Sequence, residues 1–147
     1  MNKIVRLLII AVALCAGFST LNAADKKIES GPKGGRLLDK TNPSAEFFVQ
    51  KNHTVTIAFY DEKRKPISVS DQNVIVIADA KAGKTTLEFE KKGDALVSKT
   101  KLPEGDGYNL VVQFRQTADA KPQNFRFKLD LSNCGGCNLA EYACSCH

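Results

Sequence analysis

The last fourteen residues of this 147-residue sequence, CGGCNLAEYACSCH, hold four of its five cysteines and one of its two histidines. Thiolates and imidazoles bind zinc tetrahedrally, as four Cys or as three Cys and one His, and thiolates also suit Cu(I). The spacing C-x2-C-x6-C-x-C-H therefore predicts a metal centre with a zinc ion as the cofactor and copper(I) as the alternative. The predicted ligands are Cys134, Cys137, Cys144 and Cys146, with His147 as an additional or substitute ligand.

Residues 1–23 bear on the redox state of these cysteines because their pattern is typical of a secretory signal peptide. Lys3 and Arg6 precede an uncharged apolar run at residues 7–17, and small residues lead to a cleavage site near Ala23. The run is too short to cross a bilayer, which takes about 20 residues. We expect a periplasmic or secreted bacterial protein with no membrane span in its mature chain.

Two disulfides are the first alternative to a metal, because exported proteins meet oxidising surroundings. A bond between Cys144 and Cys146 would close a small, strained ring, so pairing of these two residues with Cys134 and Cys137 is expected instead. A redox-active Cys-x-x-Cys pair is the second alternative, but such a pair normally opens a helix after a strand. The clustering favours a metal, since disulfides usually join distant parts of a fold.

Other function classes receive little support from the composition. The formal net charge is +5, but basic and acidic residues are interleaved along the chain, which predicts a solvated surface and no nucleic-acid binding. The Gly-rich residues 31–35 lack the flanking strand and helix of a phosphate-binding loop, so a turn is expected there. His53 is expected to lie on the surface. No catalytic motif is present, and we expect a protein that is not an enzyme.

Seven or eight short strand-like segments, separated by turn signals, fill residues 45–131. Val55, Ile57 and Phe59 alternate with smaller or polar residues, as in a strand with one buried face. The fold predicted is all-β, a single antiparallel β-sandwich of immunoglobulin-like architecture, carrying a short Cys-rich C-terminal helix or tail.

The tail helix is predicted over residues 139–144 from its capping residues. Asn138 is a favourable N-cap, and Glu141 stands three positions later, where it can bond back to the cap. On such a helix Cys137 and Cys144 would lie on one side, so the helix would clamp the metal ligands together.

The chain is thus divided into four predicted segments: a signal peptide at 1–23, a polar leader with a Gly-rich turn at 24–44, the β-sandwich at 45–131 and the metal-binding tail at 132–147.

Several short motifs resemble a small β domain near the start of periplasmic adaptor (membrane fusion) subunits of heavy-metal efflux pumps of the resistance-nodulation-division class. The similarity covers roughly residues 31–115. The motifs are GPKGGRLL at 31–38, AEFFV at 45–49, TIAFY at 56–60, Lys65–Pro66 and Gly93–Asp94. That family usually has His where this chain has Lys33. The chain looks like a stand-alone relative, without the helical hairpin and barrel of an adaptor. The resemblance implies a link to metal handling, with a metal-efflux complex as partner.

Together these patterns predict an exported protein that buffers or delivers zinc or copper through its tail. The alternative is a structural or protein-interaction β-sandwich, whose tail is fixed by two disulfides or by an inert structural zinc.

Overall fold

A computed structural model describes residues 27–146 of the chain. The predicted signal peptide and His147 lie outside the described residues. Within 27–146 no α-helix is present, and no helix there is long and apolar enough to serve as a membrane span. The described elements are β1 (Arg36–Leu38), β2 (Ser44–Val49), β3 (Val55–Tyr60), β4 (Pro66–Ile67), β5 (Asn73–Ala80), β6 (Gly83–Lys92), β7 (Ala95–Ser98), β8 (Asn109–Arg115), β9 (Gln123–Lys128) and a 3-10 turn (Glu141–Ala143).

All strand pairs are antiparallel, in the order β1-β2-β3-β7-β6-β5-β8-β9, with β4 beside β3. The long strand β6 belongs to both halves of the sheet, since residues 83–88 pair with β5 and residues 89–92 pair with β7. The sheet therefore folds over itself at β6 into a nearly closed, barrel-like sandwich. The predicted all-β, antiparallel sandwich is confirmed.

The core lies between the β2-β3 half and the β5-β8-β9 half of the sandwich. Val55, Ile57 and Phe59 of β3 are at most 1% exposed, which confirms the predicted alternation, and the Phe59 ring faces Phe114 of β8 at 6.3 Å. The other face of β3 is buried as well, so β3 must be covered on its outer side.

The Gly-rich turn at residues 31–35 helps to cover the outer side of β3, because it packs over the buried carboxylate of Glu46. Glu46 of β2 is fully buried and accepts hydrogen bonds from the backbone N–H of Lys33 at 3.0 Å and of Gly35 at 2.7 Å. The Tyr60 hydroxyl of β3 donates a third hydrogen bond at 2.6 Å. A Cβ at Gly31 would overlap the Glu46 side chain, so glycine permits this close approach. Burial and the hydrogen bond to Glu46 raise the pKa of Tyr60.

The sheet begins earlier than the sequence indicated. Strand β1 falls within residues 24–44, which the sequence predicts to be a polar leader. It pairs with β2 from Arg36 opposite Phe47 to Leu38 opposite Ala45. Three residues between Gly-rich and polar segments carry too little alternation to be recognised as a strand.

Candidate metal centre

The tail folds back on itself as a tight hairpin after β9. The N–H of Cys134 donates to the Leu139 carbonyl at 2.7 Å, and the N–H of Glu141 donates to the Ser132 carbonyl at 2.9 Å. Asn133 and Ala140 form an isolated antiparallel bridge between these two hydrogen bonds. Cys134 therefore enters the turn and Cys137 lies within it.

The helix predicted over residues 139–144 is wrong. Asn138 has a φ of 55°, a left-handed conformation that suits a tight turn and not an N-cap. Only the 3-10 turn Glu141–Ala143 forms, preceded by Ala140, which makes no side-chain capping bond. The backbone of Glu141 bonds to Ser132 instead, so hairpin pairing takes the hydrogen bonds that a helix would have used.

Tyr142 fixes the tail to the sandwich. Its ring stacks on Phe127 of β9 at 6.4 Å between centroids and meets Phe47 of β2 edge-on at 6.0 Å. Its hydroxyl accepts a hydrogen bond from the N–H of Val49 at 3.1 Å, and its own N–H donates to the Asp130 carbonyl at 3.0 Å. The tail thus packs across the seam where β2 and β9, near opposite ends of the strand order, approach each other.

The four tail cysteines converge on one point. The Sγ atoms of Cys134, Cys137, Cys144 and Cys146 all lie within 4.8 Å of one another. A tetrahedron with zinc–sulfur bonds of about 2.3 Å has sulfur–sulfur edges of about 3.8 Å. The sulfurs are therefore close enough together to bind a metal ion after small side-chain movements.

The cluster is buried on one side and open on the other. Cys134 is 3% exposed and Cys144 is 1% exposed, Cys137 is half-buried and Cys146 is exposed. An ion or a reagent from solution would therefore meet Cys146 first.

Two of the four sulfurs are joined in the structure. Cys134 and Cys144 form a disulfide with a Cα–Cα distance of 6.2 Å, which is one of the cross-pairings expected for the disulfide alternative. Cys137 and Cys146 are free, and the Cys137 Sγ lies 3.4 Å from the Cys144 Sγ. The cluster therefore holds one disulfide, between the buried residues Cys134 and Cys144, and two thiols beside it, Cys137 and Cys146.

The two free thiols differ in acidity because they share a hydrogen bond. The Cys146 thiol donates this hydrogen bond to the Cys137 sulfur, and the backbone N–H groups of Leu139 and Ser145 also bond to that sulfur. These hydrogen bonds lower the pKa of Cys137. The same bond raises the pKa of Cys146, and partial burial adds to the effect. Cys137 is thus the first of the pair to become a thiolate.

His53, and Lys33 at the position where the resembling family usually has His, are not in this cluster. His53 is half-buried in the turn after β2, with a φ of 65° and its carbonyl accepting from the N–H of Leu102. Lys33 lies in the Gly-rich turn. Two residues that shape the site were not predicted from the sequence. Tyr142 could have been found as the lone aromatic residue in the tail, and Gly136 as part of the Gly pair inside Cys-x-x-Cys.

Gly136 allows Cys146 to approach the hairpin turn, and its neighbour Gly135 provides a matched control. A Cβ on Gly136 would lie 3.2 Å from the Cys146 Cβ and 3.3 Å from its Sγ, whereas a Cβ on Gly135 meets nothing within 4 Å. We expect Gly136→Ala to weaken metal binding by about tenfold, the scale of a displaced supporting contact, and Gly135→Ala to leave it nearly unchanged. Metal affinity measured by competition with a chelator tests this, and equal effects of both substitutions would contradict it.

The tail should loosen at high pH because Tyr142 must stay neutral where it is buried. Burial raises the pKa of Tyr142 to about 12, against about 10 in an unfolded chain. The folded state therefore holds the Tyr142 hydroxyl proton more tightly than the unfolded state does. The resulting contribution to the free energy of unfolding is present below about pH 10 and is lost as the pH rises towards 12. We expect a loss of about 2 kcal/mol over this range. Urea unfolding at several pH values tests it, and Tyr142→Phe should show a shallower dependence.

Comparison with known proteins identifies no relative of the chain: no family model, curated protein or solved structure matches it.

Proposed function

We propose that this protein is an exported metal-binding protein that buffers or delivers a soft metal ion, zinc or copper(I), in a binding role and not a catalytic one. The observation that carries the proposal is the convergence of four sulfurs within 4.8 Å. Sulfur ligands favour these ions over magnesium or calcium, which take oxygen ligands. The pattern of residues 1–23 supports export.

The exposure of the cluster supports delivery over permanent storage. Cys146 is exposed and Cys137 is half-buried, so a competing ligand can replace one protein sulfur at a time without unfolding the domain. Short motifs within residues 31–115 that resemble the small β domain of efflux adaptors are the ground for proposing a metal-efflux complex as the acceptor.

A structural role is the second candidate, and the observed disulfide between Cys134 and Cys144 favours it. Tyr142 already holds the tail on the sandwich through ring contacts and hydrogen bonds, so the tail does not depend on a metal for its position. In this case the cysteines would only reinforce the tail, and the sandwich would act as a protein-interaction domain.

Metal exchange distinguishes the two candidates. The reduced protein, loaded with zinc or copper(I), is mixed with a chromophoric chelator, and the rate of transfer is compared with the rate of unfolding. Transfer much faster than unfolding is expected for a delivery protein, with Ser145→Ala as a control that preserves every sulfur. Metal that leaves only as the chain unfolds would indicate the structural role.

Metal affinity should fall as the pH is lowered, because protons compete with the metal for the thiolates. Each thiol that is protonated in the metal-free protein weakens apparent binding by about tenfold per pH unit. The pKa of Cys137 is lowered and that of Cys146 is raised, so Cys137 should contribute less to the dependence near neutral pH than Cys146. Chelator competition between about pH 6 and 8 measures the slope, and an affinity independent of pH would contradict thiolate ligation.

A further inference from the structure

We propose that the four tail cysteines also perform thiol–disulfide exchange with external low-molecular-weight disulfides, ending in the Cys134–Cys144 bond, and that this oxidation expels the metal. The proposal of thiol–disulfide exchange is supported by the positions and exposure of the four cysteines and does not require a bound metal. The expulsion of metal rests on the function proposed above, since it requires a metal to be bound there.

The first observation is that the bonded pair and the accessible pair are different residues. Cys134 and Cys144 carry the disulfide, although they are only 3% and 1% exposed. A dissolved oxidant cannot reach these sulfurs directly. Cys146 is exposed, and it stands beside Gly136, which is exposed and carries no side chain. Of the two free thiols, Cys146 is the more exposed, so we place the start of oxidation at Cys146, from which it passes inward.

The second observation is that the sulfurs form a continuous series of contacts from the surface to the buried bond. Cys146 is hydrogen-bonded to Cys137, Cys137 lies 3.4 Å from Cys144 through its sulfur, and Cys144 is bonded to Cys134. Each neighbour is in reach of the next, so exchange needs only side-chain rotation. The order of transfer is Cys146, Cys137, Cys144, Cys134.

The steps balance as ordinary exchange reactions, each with a thiolate attacking a disulfide sulfur. The Cys146 thiolate attacks RS–SR, forming a mixed disulfide and releasing one RS⁻. The Cys137 thiolate attacks the Cys146 sulfur, forming Cys137–Cys146 and releasing the second RS⁻. Cys144 then attacks Cys137 and frees Cys146, after which Cys134 attacks Cys144 and frees Cys137.

The net reaction transfers two electrons from the buried pair to the external disulfide. RS–SR becomes two RSH, which take up the two protons lost by the thiols of Cys134 and Cys144. Cys137 and Cys146 end as thiols, as they stand in the structure.

The disulfide and a tetrahedral metal site exclude each other. Bonded sulfurs are about 2.05 Å apart, whereas two sulfurs on one zinc are about 3.8 Å apart, and sulfurs in a disulfide are no longer thiolates. Oxidation therefore removes two of four ligands, and a dithiol reductant that opens the bond restores them. The redox state of the surroundings would set whether the protein holds or releases its ion.

The test uses oxidised glutathione on reduced protein in two arms, one metal-free and one metal-loaded, with released metal followed by a chromophoric chelator. Free thiols are alkylated, and the chain is cleaved after Glu141, which separates Cys134 and Cys137 from Cys144 and Cys146. We expect a single final linkage between the two fragments, with the alkyl label on Cys137 and Cys146, and one metal released per disulfide formed.

The Cys146→Ser variant tests the entry point in the metal-free arm, where its weaker metal binding has no effect on the rate. We expect oxidation of the buried pair by glutathione to slow at least tenfold in this variant and to be unchanged in Ser145→Ala. A stable Cys137–Cys146 product, or an unchanged rate in Cys146→Ser, would overturn the exchange series. Metal retained after the bond forms would overturn the release, whereas a protein that exchanges normally but never binds metal would contradict only the proposed function.

Discussion

Replacing Cys144 with serine is expected to lower metal affinity by well over 100-fold, more than the 10–100-fold typical of losing a residue that merely supports a ligand. Cys144 is 1% exposed and lies in the middle of the cluster. A serine hydroxyl does not ionise at neutral pH and does not match a soft ion. Three sulfurs would remain as ligands.

The corresponding substitution at Cys146 should have a smaller effect. Cys146 is exposed, and we expect the predicted ligand His147 to substitute for it, as in three-Cys, one-His zinc sites. Affinities of the two variants and of Ser145→Ala are measured by competition with a chelator under reducing conditions. A Cys144→Ser protein that binds as tightly as the parent would show that the buried sulfurs are not ligands.

Tyr142→Ala should destabilise the protein by about 3–5 kcal/mol, the usual cost of removing a buried aromatic ring. The ring contacts Phe127 and Phe47, and is 4% exposed. Its loss would leave a cavity at the seam between β9 and β2 and would free the tail from the sandwich. Equilibrium unfolding in urea measures the effect as a fall in the midpoint at a similar slope.

Tyr142→Phe separates packing from hydrogen bonding at the same position. It keeps the ring but removes the hydroxyl that accepts from the Val49 N–H at 3.1 Å, so a loss of about 1 kcal/mol is expected. Metal binding should persist in Tyr142→Phe because all four cysteines remain. An alanine variant no less stable than the phenylalanine variant would mean that the tail is not anchored by this ring.

The sheet could be predicted well from the sequence where alternation is strong. Val55, Ile57 and Phe59 have a period of two, and this period follows directly from strand geometry. Strand β1 could not be found this way, because its pairing with β2 depends on the Gly-rich turn packing over Glu46. That long-range contact leaves no local pattern in three residues.

The tail shows the same division between local and long-range information. The spacing of the cysteines indicated that they would converge, and the structure places their sulfurs within 4.8 Å. The capping signal at Asn138 indicated a helix, but short helices are marginal without support. Hydrogen bonds from Cys134 and Glu141 across the hairpin, together with the packing of Tyr142, favour the alternative conformation.

The most direct test of metal binding is a paired measurement on protein purified without oxygen from the cells that produce it. Zinc and copper are determined by elemental analysis, and the free thiols of the tail are counted before and after chelation. We predict about one metal ion per chain, with the four tail thiols becoming reactive only when the metal is removed. Protein without metal, whose tail cysteines yield no free thiols until a reductant is added, would contradict the metal-binding function.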